Sequence, residues 1–516
     1  MPATNTPIAK AGRIAALSAA VLIWAAPISA FAQQALTNAP VGQVVVPAED
    51  FVELKRQLQA AEERLHALES QRLPAVEQEV PVSLNAPKAD DVQDRLKAIE
   101  KDLKKRAEAE AKKKADDAKK PTGRWTGRIH TDYWAFPGDS PGANAFETGD
   151  DLNSPDDRFL FRRIRFGLQG DIPDNMLYKA EFDINQPQTP QIKDCFIGWK
   201  ELPLLQTLLL GNQKRPYGLD HINSSRYNVF LERPFFVEAA NQDARRFGLA
   251  SYGVSEDERF NWRFGGYMMQ DMQQVGTVFA DPVTEDYQAE FAGRFANTIW
   301  YDECSGGRGY AHWGISGTIA SPSGRNYDGS AARFQTRPEA RTTNRWIDTG
   351  VIVGTETYEL VGVEALVNLG PLQAVGEFQN IFLQRGPGSD LYFSGGYVYL
   401  SYFLTGEHMA WDRATGQLDR VKPFQNFWIV DTCDDGCEAG WGAWQVAVRY
   451  SECDFNDDNI AGGVGRAVTF GLNWHWNAYA RMQTNFIYGR IDGRSPVDGQ
   501  TEGDYGILGT RFMVDY

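Results

Sequence analysis

Histidine and cysteine are scarce in this 516-residue chain, at six and five residues. The histidines (His66, His130, His221, His312, His408 and His475) have no ligand spacing, and no second cysteine pair supplies it, which argues against a metal centre. No G-x-S-x-G, H-E-x-x-H or P-loop pattern occurs, so neither enzyme chemistry nor a cofactor is expected. Asp454, Asn456 and Asp458 alternate like a calcium loop, but Asn459 replaces the required glycine and Gly465 the twelfth-position glutamate. Lysine is thin as well: residues 121–516 hold five, against 29 arginines. With 51 Asp+Glu opposing these 34 cations, the region carries a formal −17 and lacks the basic footprint of a nucleic-acid binder. Beyond residue 32 no stretch approaches the ~20 apolar residues of a membrane-crossing helix.

What is present begins with an export signal over residues 1–32. Lys10 and Arg13 precede the apolar run Ile14 to Ala26, and Ala30-Phe31-Ala32 offers a small-x-small cleavage site before Gln33. A polar spacer, 33–50, leads to residues 51–120. There Phe51, Leu54, Leu58, Ala61, Leu65 and Leu68 form one heptad seam, and Val92, Leu96, Ile99 and Leu103 a second, with Pro74, Pro81 and Pro87 between them. Each seam is near the lower length limit for a coiled coil, so a single amphipathic helix competes with a short oligomerising coil. The basic run 104–120 is either solvated charge or a contact to an anionic cell-wall polymer.

From Arg124 the period changes to two. In RWTGRIHTDYWAF, Trp125, Ile129 and Tyr133 share one face, and Arg124, Thr126, Arg128, His130 and Asp132 the other. In FLFRRIRFGLQG, Leu160, Ile164, Phe166 and Leu168 oppose Arg163, Arg165 and Gln169. Arg162 breaks the apolar parity there, which an interfacial position would tolerate. MLYKAEFDI sets Met176, Tyr178, Ala180, Phe182 and Ile184 against Lys179, Glu181 and Asp183. A soluble sandwich rarely buries several charges per strand, because unpaired buried charge is costly. A barrel between lipid and water accommodates them in its lumen.

Spacing agrees. Connections 171–175 and 201–206 are short, whereas 137–157 and 215–244 are long, as in outer-membrane barrels. Seventeen segments have strand character. An odd number would separate the termini, and the phases counted from the two ends conflict between 255 and 342, so one segment there is in excess. The expectation is an all-β chain whose residues 121–516 form a 16-stranded antiparallel transmembrane β-barrel, preceded by an N-terminal helical or coiled-coil segment. The same count puts the connection 406–441 on the periplasmic side.

The stretch LLLGNQKRPYGLDHINSSRYNVFLERPF, Leu208 to Phe235, is too long for an ordinary loop and too aromatic for disorder. It resembles the segment after the fifth strand in the phosphate-selective porin O and P family, which folds into the barrel. FRRIRFGLQG (161–170), IKDCFIGW (192–199), TRPEAR (336–341), YFLTGE (402–407), GAWQVAVRYS (442–451) and the GG-then-LNW pattern ending at Trp474 extend the resemblance over 124–516.

The resemblance implies an outer-membrane porin of a two-membrane bacterium, embedded in lipid as a homotrimer, passing small anions and in some members phosphate or polyphosphate. It implies wall arginines Arg163 and Arg165, with weaker matches at Arg124 and Arg128. It also implies Arg226, after Asn223-Ser224-Ser225, in a constriction loop that includes Lys214, Glu232 and Arg233. Such guanidiniums replace part of an anion's hydration shell. For Arg226 a bracing pair with Glu232 or another carboxylate is the competing role. Because lysines are few and the barrel region is acidic, a general or differently selective porin, or a non-conducting receptor or adhesin barrel, stays open.

In an exported chain, Cys433 and Cys437 would close a small disulfide loop, and Cys195 reads as an ordinary apolar strand residue.

Overall fold

A computed structural model describes residues 119–516, apart from 139, 174, 187–188, 242–244, 270–287, 323–330 and 432–436, together with scattered residues between 101 and 113. The export signal, the spacer, both heptad seams and Cys433 lie outside the described residues. The scattered residues are helical, with Arg106 Nε 2.9 Å from the Asp102 carboxylate one turn back. A helix is therefore present near residue 105, while pairing into a coil involves residues beyond those described.

Sixteen antiparallel strands among the described residues close a barrel in sequence order. They are β1 (Arg124–Gly138), β2 (Arg158–Ile172), β3 (Met176–Asp183), β4 (Gln191–Leu202), β5 (Gln206–Gln213), β6 (Arg246–Val254), β7 (Phe260–Met268) and β8 (Ala289–Tyr301). The second half comprises β9 (Gly309–Ser321), β10 (Thr355–Leu369), β11 (Leu372–Arg385), β12 (Leu391–Phe403), β13 (Ala443–Asp457), β14 (Ile460–His475), β15 (Ala480–Arg494) and β16 (Gly503–Asp515). β1 closes the ring on β16, with Arg128 opposite Asp515 and Thr131 opposite Phe512. An even count brings both strand termini to one end. That terminal end carries tight turns such as 203–205 and 370–371, and the opposite end carries most of the long loops.

The excess segment is 332–342. Its residues form two isolated two-residue pairings, Ala331–Ala332 with Ile352–Val353 and Gln335–Thr336 with Ile347–Asp348. Pro338 lacks the N–H a central ladder needs, and Phe334 and Ala340 are buried inside the barrel instead of facing outward.

Period two sorts the wall as expected for β1: Trp125 and Ile129 are exposed outside, while Arg128, His130 and Asp132 are buried inside. On β2 a bulge intervenes. His130 pairs with Arg163 but Thr131 pairs with Phe161, leaving Arg162 as the extra residue. Phe159 and Phe161 therefore point out, Leu160 packs on the interior cluster, and Arg162 turns inward. The parity break at Arg162 is a register shift, not an interfacial arginine.

The interior is not uniformly charged. Inward positions of β12 and β13 carry Phe393, Tyr397, Tyr399 and Phe455, all buried. Phe235 and Phe236 from a short helix in the 214–245 loop (α2, Phe235–Ala240, after α1, Leu219–Ile222) fill the space against them. Phe236 stacks on Phe455 with ring centroids 5.2 Å apart, and Phe334 meets Phe393 edge-on at 5.9 Å. Two connections thus bring apolar surface into the barrel, and the charged wall of β1 to β4 lies to one side of it.

Candidate functional site in the barrel lumen

The loop between β5 and β6 turns inward at Gly218, whose φ of 80° suits glycine. A Cβ there would meet Gln379 Nε2 at 2.6 Å and Glu377 Oε1 at 2.8 Å. Lys214 Nζ donates to the carbonyls of His221, Ile222 and Asn223 at 2.8, 3.0 and 2.9 Å, using all three of its protons. Arg233 Nε adds a bond to Asp220 O at 2.9 Å. Both cations hold the open carbonyls of α1 and its exit. Ser224 Oγ accepts from Arg226 N at 3.3 Å, and Ser225 Oγ accepts from Arg128 Nη1 at 2.9 Å. Beyond them, Tyr217, Phe230, Leu231, Phe235 and Phe236 are all buried.

Arg226 lies against the wall at the terminal end. Its Nη2 donates to Thr126 Oγ1 at 2.6 Å and Gly127 O at 3.2 Å, and its Nε is 3.3 Å from Asp515. Glu232 takes a two-pronged pair from Arg162 and a third bond from Arg511 at 2.8 Å. Burial alone would raise the Glu232 pKa, but the Arg162 guanidinium, then Arg511, hold it well below the usual carboxylate range.

Wall arginines divide into two kinds. Arg128 and Arg165 share Glu181 at 2.9 and 3.3 Å, and Arg165 also holds Asp183 at 2.7 Å. Arg163 is 4% exposed and has no carboxylate partner among the described residues; its Nη1 meets His130 Nδ1 at 3.3 Å and its Nε is unpaired. Arg124 sits exposed at the start of β1.

The 322–354 connection adds a second inward loop. Its Glu339 is fully buried and accepts from Arg449 at 2.6 Å and Thr469 at 3.1 Å, pinning the loop to β13 and β14. Arg337 and Arg345 share Glu238 at 3.3 and 2.8 Å. Arg341, half-buried beside them, makes no ion pair or hydrogen bond among the described residues. Burial, then the neighbouring Arg162 and Arg337, push its pKa down to about 9 against the opposing pull of Glu232 and Glu238, so it is charged at neutral pH.

A third segment enters from the terminal end. Between β12 and β13 the chain runs inward as a strap, 404–427, whose tip pairs Trp411 with Leu418. Trp411 stacks on Tyr310 at 5.4 Å, lies 4.6 Å from the His312 ring and donates to Thr298 Oγ1 at 3.1 Å. Arg294 bonds Gly416 O at 3.1 Å and is itself clamped by Glu364, which also meets His312 Nε2 at 2.9 Å. Leu418 N donates to Asn223 Oδ1 at 3.0 Å, joining strap to loop, and Arg420 reaches Asp515 at 2.6 Å. Since β8 and β9 lie halfway around the ring from β16, the strap crosses the lumen.

These inward segments narrow the barrel interior, and guanidinium groups line one wall of it. Residues 126–516 match the family described as phosphate-selective porin O and P. The chain belongs to that family. A protein of Caulobacter vibrioides is 26% identical over 368 residues, covering 69% of this chain and 68% of that protein. "Porin O" of Pseudomonas aeruginosa is 26% identical over 154 residues, covering 28% and 32%. Among solved structures, OmpT of Vibrio cholerae has a TM-score of 0.45 at 12% identity, over 77% of this chain and 100% of that one. The anion-selective porin from Comamonas acidovorans has 0.42 at 13%, over 77% and 100%.

The porin is a non-catalytic outer-membrane channel for diffusion of small solutes, and its apolar outer wall faces lipid. Three features escape the sequence. Arg341 lies in TRPEAR, which has strand character in isolation. The Arg294–Glu364–His312 cluster joins residues from three strands. The strap has one legible signal, the length of 406–441 at an end where turns are short. Asp454 to Asp458 end β13 and enter the tight turn to β14. Cys195, Cys304 and Cys453 are free thiols.

Proposed function

We propose that small anions are the favoured solutes of this porin, with phosphate in reach of the same guanidinium groups. The observation that carries this reading is Arg341, a lumen guanidinium without a carboxylate partner among the described residues, close to Arg162 and Arg337. Arg163 adds a second such group on the wall. An incoming anion would supply the charge-assisted acceptor these donors lack. General diffusion is the second reading, favoured by the pairing of Arg128, Arg165 and Arg226 with Glu181, Asp183 and Asp515. The reversal potential of the purified porin in a planar bilayer under a salt gradient separates the two. Anion preference that weakens in Arg341→Ala supports the first; a near-zero potential unchanged by the substitution supports the second.

The assembly is a homotrimer on this reading. β3 and β5 have eight residues and β6 and β7 nine, against 13 to 16 for β8 to β16. A tilted strand needs about 9–11 residues to cross the apolar band; β3 and β5 fall below this, β6 and β7 only reach its lower limit and β4, with 12, alone exceeds it, so this is the thinnest wall of the ring and suited to a partner copy. Residues 1–32 are removed on export, residues 33–120 are periplasmic, and the basic run contacts the cell-wall polymer. Cys433 and Cys437 form a disulfide under oxidising conditions. Mass spectrometry of the mature chain, crosslinking in detergent and pull-down on cell-wall polymer test these points separately.

A further inference from the structure

The connection between β1 and β2 folds into an eight-residue helix, Pro141–Thr148. Its limits are written in the sequence: Ser140 Oγ accepts from Ala143 N at 3.3 Å, Pro141 opens the first turn, and Gly149 at a φ of 83° closes the last. The helix lies hard against the β15–β16 connection, where a Cβ on Gly142 would sit 1.7 Å from the Glu502 carbonyl oxygen. Glu147 stands in the last turn, where a negative charge opposes the helix dipole and gains nothing locally. What holds it there is tertiary. Its side chain is 3% exposed, and both carboxylate oxygens meet the inward loop 322–354. Oε1 accepts from Thr343 N at 2.8 Å and Arg158 Nη1 at 2.9 Å. Oε2 accepts from the Trp346 indole N–H at 2.9 Å and Asn344 N at 3.3 Å. The Glu147 carbonyl takes a further bond from Asn344 Nδ2 at 2.6 Å.

We propose that Glu147 is a positioning residue for anion selection, setting where the Arg341 guanidinium stands in the lumen. Two anchors bracket Arg341. Two residues upstream, Glu339 pins the loop to Arg449 and Thr469. Two residues downstream begins the run Thr343 to Trp346 that Glu147 clasps. The loop has little ladder of its own, only two short pairings, so the backbone between the anchors takes its course from them. The charge of Glu147 is met inside the clasp: Arg158 supplies the counter-charge, and three N–H groups occupy the remaining acceptor sites. Without that carboxylate, two backbone N–H groups and a buried indole lose their acceptor, which costs more than exchanging one hydrogen bond for another. Those groups regain partners only by moving toward water, and Arg341 moves with them. The inference rests on the reading of Arg341 as an anion-selecting group and assigns what holds that group in place.

The test compares the parent porin with Glu147→Ala, Glu147→Gln, Arg341→Ala and the Glu147→Ala/Arg341→Ala double variant. Two readouts are taken: reversal potential in a planar bilayer under a KCl gradient, and limited trypsin digestion. Glu147→Ala should shift the potential toward zero as far as Arg341→Ala does, and the double variant should go no further, because one effect runs through the other. Glu147→Gln removes the same charge but keeps one acceptor oxygen, so it should fall between the parent and Glu147→Ala. Trypsin should cut after Arg341 or Arg345 in Glu147→Ala and leave the parent loop whole. A rise in anion preference in both Glu147 variants would show the carboxylate acting through its field and overturn the proposal. An unchanged potential and an uncut loop in Glu147→Ala, while Arg341→Ala loses selectivity, would overturn it and leave the anion reading standing. A cut loop with an unchanged potential in every variant would overturn the anion reading, and with it the selecting role given to Glu147. If Glu147→Ala fails to assemble, Glu147→Gln and Trp346→Phe, which removes one donor and keeps an aromatic ring, carry the same comparison.

Discussion

Arg162 on β2 and Glu232 in the inward loop face one another in a two-pronged pair, Nε to Oε1 at 2.7 Å and Nη2 to Oε2 at 2.9 Å. The pair exists because a bulge turns Arg162 out of the apolar row. Arg511 on β16 completes the clamp, so one loop carboxylate ties the two strands that flank β1. Position of the loop across the lumen thereby depends on a charge pair at the seam where the barrel closes.

Glu232→Gln leaves Arg162 largely buried without its counter-charge, while Arg511 keeps its two-pronged pair with Asp132. Removing one partner of such a pair costs on the order of 3 kcal/mol. The expected outcome is a lower temperature of half-unfolding in detergent and noisier, larger channel openings in bilayers. Unchanged noise would mean that the apolar contacts of Phe235 and Phe236 hold the loop unaided.

The same pair sets a pH dependence. The folded Glu232 pKa is depressed, so its contribution is complete above the unfolded value of about 4.3 and is lost as pH falls through the lower folded value. Channel noise should therefore stay constant from neutral pH to about 4.3 and rise only in more acidic solution. Glu232→Gln should abolish that dependence on acid. A transition centred above the ordinary carboxylate range would contradict the assignment.

Arg341→Ala should weaken block by phosphate about tenfold, the effect of losing one charge-assisted hydrogen bond. Arg226→Ala should leave block nearly intact, because Arg226 is engaged by Thr126, Gly127 and Asp515. Titration of single-channel current with phosphate measures both. The reverse ranking would move the anion path to the terminal-end wall.

Replacing residues 409–420 by a short Gly/Ser link should raise single-channel conductance and admit larger neutral solutes, since the strap crosses the lumen outside the strand ladder. Barrel assembly, followed by heat-dependent gel mobility, should be unaffected. Conductance equal to that of the parent would show that solute passes the strap without contact.

Much of the barrel was legible because a strand has period two and the bilayer and the lumen select opposite chemistry at successive residues. Trp125 outside and Arg128, His130 and Asp132 inside follow from that rule alone. The paired roles of Lys214 and Arg233 were not legible. Their partners are backbone carbonyls exposed only where α1 ends, and no side-chain pattern announces them.

By itself, the sequence determined the alternating strands and, through the rule that both termini share one end, a count of sixteen from seventeen candidates; these depend on local periodicity and on spacing along the chain. That the long loop after β5 turns inward followed from the family resemblance. Tertiary structure alone decided that Arg162 faces in, that 332–342 packs on Phe393 and Phe455 instead of crossing the membrane, that Arg226 binds Asp515, and that a strap from the terminal end meets Asn223. Each of these depends on which group stands across the lumen, and residues far apart in the chain acquire that relation only when the ring closes.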